Sequence, residues 1–170
     1  GHGFINKKIA NKILSLSPST ALNAQINSSN VGYHSIEKYN KVECVIINID
    51  ELRYELRDKD KNTRYLMKDL SKRRNIKNLI VTQGRKGAVL YNSNKDVFFQ
   101  CPAFATKIVD KIGTGDAFLA LASLSITKNF DELISLYLGS LAASQSVESL
   151  GNSQKGNKNS ILKAIKHSIL

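Results

Sequence analysis

The chain has 170 residues, 42% of them hydrophobic and 23% charged, and its formal net charge is +11. That is the profile of a globular domain with a core of its own. It excludes a membrane-spanning helix, since no apolar run approaches the ~20 residues such a helix needs, and a disulfide framework, since only Cys44 and Cys101 occur.

In chain order, "FINKKIANKILSL" (residues 4–16) sets Phe4, Ile5, Ile9, Ile13, Leu14 and Leu16 on one helical stripe that ends near Pro18. "STALNA" predicts a short strand, "QINSSNVG" a polar loop and "YHSIEKY" a brief helix. "VECVII" (42–47) is a continuous apolar run, as expected of a strand buried on both faces. "IDELRYELRD" and "TRYLMKDLSKRRN" predict helices, and "NLIVTQG" a second buried strand. "GAVLYN" and "DVFFQCPAF" flank a polar turn at Ser93–Lys95, the pattern of a hairpin. Two long helices follow at about 115–127 and 130–148, and the Gly-rich "LGNSQKGNKNS" leads to a last helix. Strands alternating with helices indicate a layered α/β/α sandwich with a largely parallel sheet.

The positive charge is concentrated. From Arg53 to Lys77 there are ten basic and four acidic residues, six of the eleven excess charges. Tyr54 and Tyr65 are the only aromatics interleaved, while Leu52, Leu56, Leu66, Met67 and Leu70 fit helical core spacing. The segment therefore reads as a solvated basic helix face; a nucleic-acid surface would need exposed aromatics or a reader motif. Cys44 and Cys101 sit in apolar runs and read as reduced, buried thiols of a cytoplasmic protein. His2, His34 and His167 show no zinc-ligand spacing. Lys7, Lys8, Asn11 and Lys12 break the opening residues, unlike a signal peptide.

Ligands of open α/β sheets bind beyond the carboxyl ends of the strands, and three motifs stand there. "NIDE" offers Asn48 and Glu51 just after a strand. "TQGRKG" offers Thr82, Gly84 and Gly87 at a tight turn. "DKIGTGD" offers Asp110, Gly113, Gly115 and Asp116 before an apolar helix. Read by themselves, Asp116 is a candidate helix N-cap and the glycines are turn residues; alternatively the loop exposes N–H groups to a phosphate at a positive helix end. Glu51 likewise suits the first turn of a helix.

Taken together, the order and strand-end placement of the three motifs resemble the nucleotide-binding half of the ribokinase-like (PfkB-type) carbohydrate kinases. The closing signature of that family, Asp-Thr-x-Gly-Ala-Gly-Asp, is matched here at four of six specified positions, with Lys111 and Thr114 as the departures. "GHGFI" and "NAQINSSNVGYHSIEKY" resemble segments of members acting on heptose phosphates. The resemblance implies that residues 1–170 are a single partial domain lacking the substrate and lid half, as does an opening helix with no strand before it.

The resemblance further implies an ATP- and magnesium-dependent kinase for a small-molecule sugar or sugar phosphate. Asp116 would be the base, with the Gly113–Thr114–Gly115–Asp116 backbone as anion hole. Asn48 and Glu51 would organise the water shell of magnesium. Thr82, Gly84 and Gly87 would line the nucleotide, with Ala142, Ala143 and Ser146 beside the adenine or, equally, allowing close helix packing. Asp110 would contribute to a monovalent-cation site. Two other readings stand beside it: a nucleotide-binding or assembly module without catalysis, and a basic nucleic-acid binder. No membrane association is expected, and an exposed sheet edge would favour a homodimer.

Overall fold

The computed structural model describes residues 5–24, 36–39, 42–148 and 158–169. Thirteen elements run along it, six of them α-helices and five of them strands of one sheet. The segments "GHGF" and "QINSSNVGYHS" fall outside the described residues, and with them most of the stretches that carry the heptose-kinase likeness.

The strands are β1 (Ala21–Asn23), β2 (Cys44–Asn48), β3 (Asn78–Thr82), β4 (Ala88–Asn92) and β5 (Val97–Cys101), ordered β1-β2-β3-β4-β5 in the sheet. β1, β2 and β3 are parallel, with Ala21 opposite Cys44 and Cys44 opposite Asn78. Only Gly84–Lys86 and their flanks join β3 to β4, and a turn at Ser93–Asp96 joins β4 to β5. Such connections are too short for a parallel crossover, so the last two strands form the expected hairpin.

Contacts divide the chain into two compact units, residues 1–83 with 89–99, and residues 84–88 with 100–170. In the first, α1 (Lys7–Leu16), α2 (Ile49–Leu56) and α3 (Thr63–Arg74) accompany the strands. α1 starts at Lys7 rather than residue 4, because Asn6 is extended and its side chain accepts the Ile9 N–H at 3.0 Å. Asn62 caps α3 in the same way through Tyr65 N–H at 2.8 Å, and left-handed Asn75 ends it. Alternate strand residues Val45, Ile47, Leu79, Val81, Val89 and Tyr91 form the core with Leu52, Leu66, Met67 and Leu70 of α2 and α3. This is the period of two that a pleated strand imposes. Ile46, Ile80 and Leu90, on the opposite pleat, are buried as well, as the continuous apolar runs predict.

The second unit is built on α4 (Thr114–Thr127) and α5 (Glu132–Val147), followed by α6 (Lys158–Ile169). Gly139 brings the two long helices together: a Cβ there would lie 2.8 Å from the Phe118 ring and 2.9 Å from Ala122. No helix among the described residues is long and apolar enough to cross a membrane. Cys44 and Cys101 are buried free thiols, as expected, and burial together with the charge of Glu43 pushes the Cys44 thiol up to about 12.

Candidate active site

In the first unit, the site residues stand at the carboxyl ends of β2 and β3. Cys44 to Ile47 are buried and Asn48 emerges at the strand end, registered opposite Thr82 of β3. Asn48 is also the N-cap of α2. Its Oδ1 accepts the Glu51 N–H at 2.8 Å, while Glu51 Oε2 accepts the Asn48 N–H at 2.8 Å, a reciprocal capping box. The helix-start reading of Asn-x-x-Glu is the one these bonds display, and the pair stands at a strand end. Glu51 is buried.

Among the described residues no group of three or more His, Cys, Asp or Glu could hold a metal ion directly. Asn48 and Glu51 carry oxygen donors, the ligand type that magnesium takes.

The second unit carries Gly84 and Gly87 of the second motif and the whole of the third. Gly84 and Gly87 both have positive φ, +58° and +85°, which L side chains rarely adopt. A Cβ on Gly87 would stand 2.1 Å from the Cys101 carbonyl oxygen and 2.8 Å from the Ala103 nitrogen, whereas Gly84 faces open space. Gly87 is therefore demanded by packing as well as by conformation, and Gly84 by conformation alone.

At the third motif the structure corrects the capping assignment. Asp116 is not the N-cap of α4. Gly113 is, at φ +77°, and no side chain caps it. The helix begins at Thr114 because Gly113 can take the left-handed conformation, and Ala117 N–H reaches the Gly113 carbonyl at 2.9 Å as its first intrahelical bond. Asp116 is thereby an exposed residue of the first turn, where the helix dipole favours a negative charge. The amides of that turn point out of the helix end, the geometry suited to an anion.

Around this turn, Asp110 accepts the Ile112 N–H at 2.9 Å and Lys111 is exposed. Thr114 Oγ1 is buried with no hydrogen-bond partner among the described residues, a feature absent from a signature with alanine there. Sequence reading also passed over Val147, whose carbonyl accepts both Val109 N–H at 2.9 Å and Asp110 N–H at 3.1 Å. No local spacing signals such a contact. Ala143 and Ser146 are half-buried on α5, one and two turns beyond Gly139. Gly139 itself packs closely on Phe118 and Ala122 of α4.

Among the described residues, five of the ten basic residues from Arg53 to Lys77 form ion pairs, Lys77 with Glu43 at 3.8 Å among them. Lys61 meets Asp58 at 3.1 Å, Arg73 meets Asp69 at 2.7 Å, Lys68 meets Asp96 at 2.6 Å and Arg74 meets Glu37 at 3.2 Å. The exposed Tyr65 ring lies under the Lys61 ammonium, 4.9 Å from its centroid. A depression of about 890 Å³ at the α2–α3 turn mixes Arg53, Arg57, Lys59 and Lys61 with Asp50, Asp58 and Asp60, so it offers no uniform field to a polyanion.

The family model of the pfkB family carbohydrate kinases matches residues 24–158. The chain belongs to that family. Solved structures of similar fold include the ribokinase of Arabidopsis thaliana, complexed with ribose and ATP, at TM-score 0.77 and 19% identity over 94% of this chain and 51% of that one. The ribokinase of Thermotoga maritima gives TM-score 0.77 and 18% identity over 95% and 54%. Phosphofructokinase-2 from Escherichia coli, in complex with potassium, gives TM-score 0.76 and 15% identity over 96% and 52%. The pfkB chain thus spans about half the length of these structures. Comparison with curated protein sequences gives no match.

Proposed function

We propose that this pfkB chain serves an ATP-dependent phosphotransferase acting on a hydroxyl of a sugar or sugar phosphate. The observation that carries the proposal is the start of α4, where a left-handed glycine, no side-chain cap and an exposed first-turn aspartate occur together. The reaction needs little covalent chemistry from the protein and much positioning. The acceptor hydroxyl oxygen attacks the γ-phosphorus of ATP, the bond to the β–γ bridging oxygen breaks, and ADP leaves. The hydroxyl proton passes to the Asp116 carboxylate, a role open to a positioned carboxylate in the first turn. The Gly113–Asp116 amides hold the charge that spreads over the transferring group.

Asn48 and Glu51 would hold magnesium through its water shell, and the ion would neutralise phosphate charge during transfer. Thr82, Gly84 and Gly87 would line the nucleotide, with Ala143 and Ser146 toward the base. Asp110 would serve a monovalent-cation site. A cytoplasmic setting suits the two buried free thiols, and a homodimer and a substrate-binding remainder of the domain, outside residues 1–170, belong to the same reading.

Calorimetric titration of the chain with ATP, with and without magnesium, tests the proposal. Binding that strengthens with magnesium and is abolished by Gly113→Val supports it; absence of binding by the wild-type chain, alone and within a longer protein that contains it, rejects it.

A further inference from the structure

α5 ends against the usual preference. Its C-cap is Glu148, and no basic residue stands in its last turn, although the carboxyl end of a helix carries partial negative charge and favours a cation. The carboxylate is held there by the other side of the unit. Its Oε1 accepts the Thr106 N–H at 2.7 Å, the Thr106 hydroxyl at 3.0 Å and the Lys107 N–H at 3.4 Å. With the Val147 carbonyl accepting Val109 and Asp110, two neighbouring residues of α5 fasten the backbone amides of 106, 107, 109 and 110. That stretch runs directly into the Gly113–Asp116 turn. A local rule broken and compensated at such a place marks a functional constraint.

We propose that Glu148 is a positioning residue for the anion-binding turn: its carboxylate fixes residues 106–110, and through them the placement of the Gly113–Asp116 amides against the nucleotide phosphates. The inference rests on the phosphotransfer reading given above. The donors to Glu148 also hold its carboxyl below the usual carboxylate range, the Thr106 N–H foremost, so the charge that makes these bonds strong is present at neutral pH. Outer-shell partners of metal ligands cost ~10–100-fold in affinity when removed, and the low end of that scale is taken for this supporting contact.

The test compares wild type, Glu148→Ala and Glu148→Gln by amide hydrogen exchange over residues 106–116 and by calorimetric titration with Mg·ATP. Glu148→Ala is expected to exchange faster at 106–116 alone and to bind Mg·ATP about tenfold more weakly. Glu148→Gln keeps an acceptor oxygen without the charge and should fall between the two. Unchanged exchange in Glu148→Ala, or faster exchange with unchanged Mg·ATP affinity, overturns the inference. If wild type binds no Mg·ATP, alone and within a longer protein that contains it, the phosphotransfer reading has failed and this inference falls with it, an outcome distinct from the previous two. Should Glu148→Ala not fold, Glu148→Asp, which withdraws the charge by one methylene, replaces it under the same criteria.

Discussion

Asn48 and Thr82 are registered partners at the carboxyl ends of adjacent parallel strands, so two motifs separated by 34 positions meet as one rung of the sheet. The rung places the cap of α2 beside the last residue of β3. Removing the cap should therefore affect folding and ligand response together. Asn48→Ala is expected to cost ~1 kcal/mol of stability in urea denaturation and to weaken the magnesium-dependent part of ATP binding. Asn48→Asp, itself a good cap, should restore the stability. If Asn48→Ala is as stable as wild type, the capping box has been overvalued.

Asp116 should behave in the opposite way. Exposed and outside the cap, it has little folding duty, so Asp116→Asn is expected to shift stability by less than ~0.5 kcal/mol. In a phosphoryl-transfer assay of a catalytically complete protein it should cut turnover by ~10²–10⁴-fold while nucleotide affinity persists. Turnover unchanged in this variant removes Asp116 as the base.

The two turn glycines separate strain from collision. Gly84→Ala meets no atom, so only its left-handed backbone is penalised, at ~1 kcal/mol. Gly87→Ala drives a methyl into the Cys101 carbonyl and the Ala103 nitrogen, and a loss of at least ~2 kcal/mol is expected from the combined strain and displacement. Thermal melts of the two variants should rank in that order; equal losses would mean that the backbone at 101–103 yields freely.

Much of this arrangement is legible in the sequence, and for identifiable reasons. The apolar runs of β2 and β3 and the turn before β5 act over a few neighbouring residues, which periodicity captures. The cap of α4 is misread from sequence because Asp116 has cap chemistry, whereas the backbone freedom of Gly113, three residues earlier, decides where the helix begins. Glu148 could not be read at all. Its partners Thr106 and Lys107 are 42 and 41 positions away, and nothing in local spacing announces a bond across that distance.

Acid should act on both units. Asp58 is held below the usual carboxylate range by the Lys61 N–H and ammonium, Asp96 by the Lys68 ammonium and the Tyr91 hydroxyl, and Glu148 by the Thr106 N–H. Groups depressed in the folded state contribute stability above their unfolded pKa, near pH 4, and lose it as pH falls through the lower folded values. Stability measured by urea denaturation should thus be level from neutral pH to about pH 5 and decline below pH 4. Charge-neutral variants at these three positions should flatten the decline, and a slope unaffected by them would assign it elsewhere.

The part that Asn48 and Glu51 play in starting α2 changes what these residues can testify to when related chains are compared. A descendant that had lost its chemistry would still need both to begin α2, and selection for folding alone would retain them. Asp116 has no such shelter. A relative that keeps Asn48 and Glu51 but has lost the aspartate is the expected signature of a retired enzyme; this chain carries all three residues.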